Sequence, residues 1–355
     1  PAAAITQAVQ ELYPEHKFTE EEFARKDNAA EIAVDTNFAA QSFWKDVRIR
    51  FFRKKSAVLG LVMIMIILLL AIFGPGMNAY TYSGQDLSQK NFAPRVPGIE
   101  QFGILDGSEK MSTTTGTKIV NNYVEKGKDD VYYWFGSDLY GRDIWTRTWE
   151  GARVSLIIAV AAAIIDMVIG MSYGLISGYF GGRVDMVMQR FLEVANGIPR
   201  LVIVTLLLLV LQPGMVTIIF ALMLTEWVGM SRIARAEMLK LKDQEFVLAS
   251  RTLGAGSFFI IFKEVLPNII GPIITQVMFS IPTAIFTEAF LSFVGLGIPV
   301  PQCSLGSLIS ELYNSFTTHP YQIIPPIVVM SLLMLSFNLL ADGLREALDP
   351  KMKSM

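Results

Sequence analysis

The sequence predicts an all-α integral membrane protein with six transmembrane helices and a sizeable segment outside the membrane between helices 1 and 2. Three observations carry this. Of 355 residues, 52% are hydrophobic and 17% charged, against about 25% charged in soluble domains. The apolar residues gather into runs of bilayer length, about 17–25 residues each. Lys and Arg cluster in some gaps between the runs and avoid others, as cytoplasmic and outside loops do.

Residues 1–55 read as a cytoplasmic extension. Residues 1–35 are acidic and Ala-rich, which fits short helices or no fixed structure. From Phe38 to Phe52, Phe, Trp and Val are interleaved with Lys and Arg. Two readings stand: an amphipathic helix lying on the inner membrane surface, or a solvated basic flank that orients the first span. A long polar stretch precedes the first apolar run, so a cleaved secretory signal is not expected and that run stays as an anchor. It covers Ser56 to Phe73 without a charge and ends at Gly74-Pro75-Gly76, giving helix 1 over 56–76. Segment 77–153 lies outside as a small cap of modest order. Its stretch "GSEKMSTTTGTKIVNNYVEKGKDD" is turn-rich, while "VYYWF" has strand composition.

Helices 2–6 are expected within 154–343, with a tail at 344–355. Val154 to Phe180 is interrupted only by Asp166, and Ile269 to Ile298 only by Glu288; Ile323 to Leu340 closes the set. Leu201 to Thr225 is uncharged but split by Gln212-Pro213-Gly214. As one kinked helix it gives five spans; as a hairpin it gives six. Basic residues precede helix 1 (Lys45, Arg48, Arg50, Arg53, Lys54, Lys55), fill Arg232 to Lys263, and recur in the tail (Arg345, Lys351, Lys353). The gap Pro299 to Gln322 has none. Only six spans put all three basic segments inside. The third span then begins before Pro199, which kinks it.

Catalytic motifs fail on context. "GMSYG" (Gly170 to Gly174) fits the serine-hydrolase pattern but falls inside a span, and the only histidines, His16 and His319, lie on none. Small residues there serve close helix packing instead. No Walker-type phosphate loop and no zinc-binding spacing occur. The chain is expected to be non-catalytic, with no metal site and no nucleotide of its own. One cysteine, Cys303, excludes an internal disulfide, and a net charge of −2 gives no reason to expect nucleic acid.

Charges inside a membrane mark a pathway or a pairing. Glu288 fits either pathway lining or a helix–helix hydrogen bond. Thr283 and Thr287 share a face one turn apart and, with Asn338, are candidate pathway residues. Asp342 is expected to meet Arg345.

The loop "DQEFVLASRTLGAGSFFIIFKEVLPN" (243–268) reads as a short helix with an apolar face at Phe246, Ala249 and Leu253. Gly254 and Gly256 stop it, Ser257 caps the next helix, and "FFIIF" runs along the interface until Pro267 turns the chain into span five.

Here the sequence resembles the "EAA" loop of ABC-importer permeases. Over Leu248, Ala249, Ser250, Leu253 and Gly254 and the later Leu266-Pro267, the central Ala249, Gly254 and Leu-Pro match, while Leu248 stands where the family has Glu, Ser250 where it has the second Ala, and Glu264 where it has Ile. "FGSDLYGRDIWTRTWEGARVSL" (135–156) resembles the signature of oligopeptide, dipeptide and nickel permeases, through Asp138, Gly141, Arg142, Asp143, Arg147 and Arg153. "GYFGGRVDMVMQRF", "TEAFLSFVGLGIPVP" and "FNLLADGLREALDP" are also similar to that family's C permease subunit. The resemblance implies the type I ABC-importer permease fold and a transport role without catalysis. It also implies a homologous B permease, two ATPase subunits carrying ATP and Mg, and an extracytoplasmic peptide-binding protein as partners. Residues 248–254 would then contact an ATPase. Nickel or another small solute is the alternative cargo, and a secondary transporter without ATPases the alternative class.

Overall fold

The computed structural model describes residues 43–113 and 116–348. The acidic stretch 1–35, the start of the basic-aromatic segment, Lys351 and Lys353 lie outside the described residues. Two compact units divide at Val47 and Arg48. Helix α1 (Phe43–Arg53) spans that division and exposes Trp44, Ile49 and Phe52.

Helix α2 (Lys55–Phe73) is the first span. The segment after it carries the antiparallel hairpin β1 (Ser108–Thr113) and β2 (Gly116–Asn121), paired from Ser108↔Asn121 to Thr113↔Gly116. Short helix α3 (Asn122–Glu125) comes next, with the Asn121 side chain accepting from the Tyr123 and Val124 N–H groups. The strand expected at "VYYWF" does not form. Tyr133 is buried there, stacked on Tyr80 with ring centroids 4.5 Å apart and edge-on to Phe92 at 6.1 Å. Its rings serve as the core of the cap, and the polar run beside them pairs with itself instead.

Helix α4 (Ile144–Phe180) is one continuous rod with a π-turn at Asp166–Gly170. It begins well before its apolar run because the signature residues from Ile144 to Arg153 are helical. Helices α5 (Gly182–Gly197) and α6 (Arg200–Val210) are bent by 78° across Ile198-Pro199. Proline at that junction disfavours helical backbone in the residue before it. Then come α7 (Met215–Leu241), α8 (Glu245–Thr252), α9 (Ser257–Leu296), α10 (Leu305–Tyr313) and α11 (Ile324–Leu348). Five helices, α2, α4, α7, α9 and the segment containing α11, are long and apolar enough to cross a membrane, and the bent α5–α6 pair makes a sixth if taken together. Alone, α6 is 11 residues, about 16 Å, half a bilayer core of about 30 Å. Gln212-Pro213-Gly214 separates α6 from α7, as the hairpin reading expects.

The spans pack through missing side chains. On α4, Gly170, Gly174 and Gly178 face Trp227, Ser231 and Met238 of α7 in that order, so the two helices run parallel. A Cβ at Gly174 would lie 2.1 Å from the Ser231 carbonyl oxygen. The "GMSYG" stretch is therefore a packing stripe. Helices α2 and α11 run antiparallel by the same device: Gly343 meets Ala57, and Gly60 meets Ser336. Between them sits a core that includes Ile158, Ala159, Ile285 and Leu333. The outer faces of α2, at Leu59, Met65, Leu69 and Ile72, stay apolar and exposed. Near its start, Lys54 pairs with Glu346; the expected Asp342–Arg345 pair does not form among the described residues.

Gly174→Val should separate α4 from α7 and lower the detergent melting temperature, by a cost of about 3 kcal/mol for overpacking. Gly229→Ala, where a Cβ meets nothing within 4 Å, should melt like the parent.

Candidate functional site

Helix α8 hangs between α7 and α9, at the end of α4 opposite the cap. It buries one side chain, Val247, among Leu175, Met230, Ala234, Met238, Ile260 and Ile261. A single apolar peg of this kind fixes a helix against three others and leaves the rest of it outward. Phe246, Leu248 and Ala249 are exposed, and Leu253 is 88% exposed. Arg251 adds a tether by lying 5.6 Å from the Tyr179 ring centroid.

Gly254 ends α8 with φ +84°. The Ala255 N–H donates to Ser250 O and the Gly254 N–H to Arg251 O, each at 3.0 Å, a Schellman closure. Two expectations fail beyond it. Ser257 makes no cap; Gly256 holds the cap position and Ser257 is already helical. Nor does Pro267 turn the chain. Helix α9 passes straight through it, because a π-turn at Ile260–Val265 precedes it and proline takes the first turn of the α segment Leu266–Leu291, where no N–H is needed. "FFIIF" therefore splits, with Ile260 and Ile261 buried and Phe258 stacked on Phe262 outside.

The signature residues meet at the other end of α4. Asp138 accepts from Arg142 Nε at 2.7 Å, Arg147 Nη1 at 2.8 Å, and the backbone N–H groups of Tyr140 and Arg142. Arg147, fully buried, also donates to Glu311 of α10 at 2.7 Å, and Arg142 bonds the same carboxylate. Gly141, at φ +71°, is indispensable, since a Cβ would overlap the Asp86 carbonyl oxygen at 1.9 Å. Asp143 caps α4 by accepting from the Thr146 N–H at 2.8 Å and from Asn78 Nδ2 at 2.7 Å. Arg153 donates to Ala71 O and Ile72 O at the end of α2. Together they rivet the cap to α2, α4 and α10.

Burial raises Asp143 above the usual carboxylate value despite those bonds. It also pulls on Glu311, but Arg147 and Arg142 outweigh it and hold that carboxyl below its ordinary 4.5. A lowered carboxylate stabilises above its unfolded value and loses that contribution as pH falls through the folded one.

Of the candidate pathway residues, Thr287 and Glu288 are buried while Thr283 and Asn338 are exposed. Glu288 accepts from Ser155 of α4 (3.2 Å), Ser292 of α9 (2.7 Å) and Ser304 before α10 (2.6 Å). That geometry is the helix–helix junction. Asn338 makes no hydrogen bond to Thr283, Thr287 or Glu288 among the described residues. Thr287 instead meets two groups that the sequence reading missed, Arg200 and Glu226, themselves paired at 2.7 Å. Each sits just outside the run 201–225 by which the span was delimited. Glu311 was missed likewise, because nothing in its local sequence marks it. Among the described residues no cluster of metal-ligating side chains forms.

Arg147→Ala removes one of the two guanidinium partners of Asp138 and Glu311, leaving them Arg142, and should destabilise the cap junction by about 1–3 kcal/mol, read as faster proteolysis of the segment 77–143. In the parent, that proteolysis should stay slow at neutral pH and accelerate as pH falls below 4.5, where Glu311 begins to lose its contribution.

The family model for the inner-membrane component of binding-protein-dependent transport systems matches residues 170–354. The model for the N-terminal transmembrane domain of oligopeptide transport permease C matches residues 42–94. An oligopeptide transport system permease protein, OppC, of Bacillus subtilis is 41% identical over 88% of this chain and 91% of its own length. A dipeptide transport system permease protein, DppC, of Lactococcus lactis is 42% identical over 88% and 92%. A chain of the MetNI methionine ABC transporter, solved inward-facing, aligns with TM-score 0.48 and 15% identity over 56% of this chain and 94% of its own. The chain belongs to the inner-membrane components of binding-protein-dependent transport systems, as a permease of the oligopeptide and dipeptide C type.

Proposed function

We propose that the chain is one of two membrane-spanning halves of an ATP-driven peptide importer in a bacterial plasma membrane, with its N- and C-termini in the cytoplasm. Its cargo is peptide, like that named for its relatives. A homologous permease completes the pathway, two cytoplasmic ATPases supply ATP and Mg, and an extracytoplasmic binding protein delivers cargo to the cap side.

The observation that carries this reading is α8. It is a short rigid helix, pegged by Val247, closed by Gly254, and presenting Phe246, Leu248, Ala249 and Leu253 outward. Leu253 is nearly bare, and an apolar side chain so exposed beside a buried anchor fits a groove on another protein. Movement of that partner reaches the bundle through Val247, whose neighbours lie on α4, α7 and α9. Leu248, where the family has Glu, makes this contact apolar rather than charged. Thr283 is exposed and the Arg200 side chain is 44% exposed, which supports a second permease closing this side of the pathway. Glu288 supports that side from behind.

Leu253→Asp should weaken capture of the ATPase subunits about tenfold or more while the chain's own melting temperature stays unchanged. Gly254→Val, which forces a branched side chain to positive φ, should leave ATP hydrolysis uncoupled from uptake. Normal uptake in both variants would remove α8 from the coupling role.

A further inference from the structure

The Arg200–Glu226 pair is an unusual feature of the apolar part of the bundle. Arg200 is the first residue of α6, directly after the 78° break, and its Nη1 donates both to Glu226 Oε1 at 2.7 Å and to Thr287 Oγ1 at 3.3 Å. Glu226 interrupts α7, and its side chain is only 16% exposed. By contrast, the Arg200 side chain is 44% exposed. A cleft lined by Asn196, Gly197, Pro199, Arg200 and Thr225 opens beside it. Among the described residues, Nε and Nη2 of Arg200 take no partner. The carboxylates buried within the spans are met by hydroxyls, Glu288 by three serines and Asp166 by Ser280 at 2.5 Å, whereas Asp185 takes both Nε and Nη2 of Arg235. Arg200 is thus a cation held on one edge, with the other edge of its planar fork facing a cleft.

A guanidinium held in this way is built for a carboxylate. Glu226 and Thr287 fix one nitrogen, so the remaining Nε and Nη2 point as a pre-set pair of donors, the arrangement that binds a carboxylate through two parallel hydrogen bonds. Asn196 and Thr225 line the same cleft, and their amide and hydroxyl groups suit a peptide backbone group. Resting on the peptide-import reading above, we propose that Arg200 binds the free α-carboxylate of the peptide during passage, with Glu226 and Thr287 positioning the guanidinium. It makes this permease itself selective for an unblocked C-terminus, in addition to whatever the binding protein selects.

The test is competitive uptake by the complete transporter of one peptide in two forms, with a free and with an amidated C-terminus. The same binding protein serves parent and Arg200→Gln transporters, so its own preference cancels when the two uptake ratios are compared. Arg200→Gln should shift the ratio about tenfold toward the amidated peptide, the loss expected for one charge-assisted contact. Arg200→Lys, keeping charge but not the fork, should shift it part of the way and serves if the glutamine variant fails to assemble. Glu226→Gln should keep the direction of preference. An equal fall in uptake of both forms would overturn the proposal and leave Arg200 a packing or inter-permease contact. Failure of the parent transporter to take up either form would instead overturn the peptide-import reading.

Discussion

The cost of leaving a polar group unpaired in apolar surroundings organises this molecule. Each of its buried carboxylates takes at least one donor from another element. Glu288 gathers hydroxyls from α4, α9 and the residue before α10, and Asp166 takes Ser280 across from α9. At the cap, Asp138 and Glu311 share Arg142 and Arg147. Because the partners sit on different helices, satisfying the charge fixes the helix arrangement. A neutral apolar substitute of like volume would cost little energetically, so these groups set geometry more than they add stability.

Within that frame the two ends of α4 are treated differently. One end is riveted to the cap by buried ion pairs and by a glycine at which no Cβ fits. The other carries α8, held by one apolar peg and one cation–π contact. Stiffness at the first end and a short rigid lever at the second suit a bundle driven from the lever side. The glycine stripe of α4 packs closely against α7 at the α8 end. The break at Pro199 places a half-span beside them, and its first residue, Arg200, leaves part of its guanidinium open.

Much of this was legible in the sequence. Uncharged runs located the spans, and Gln212-Pro213-Gly214 marked the gap between α6 and α7. Gly254 ended α8 as a glycine at that point should, and the small residues of "GMSYG" proved to be a packing stripe. Periodicity at Phe246, Ala249 and Leu253 found the outward face of α8 but not its anchor, since Val247 is marked only by the tertiary core it enters. "VYYWF" misled because strand composition and a packed aromatic cluster use the same residues. Pro267 misled because a π-turn upstream, invisible in composition, moved proline into a permitted position. Glu311 and Glu226 acquire meaning only from arginines distant in sequence.

The most direct test is to purify the tagged chain in mild detergent from its native host, identify what accompanies it, and reconstitute that material in vesicles. The expected result is one second permease and two ATPases in stoichiometric amounts, with peptide uptake that requires ATP and the binding protein. A chain that arrives alone and still transports without ATP would contradict the importer assignment.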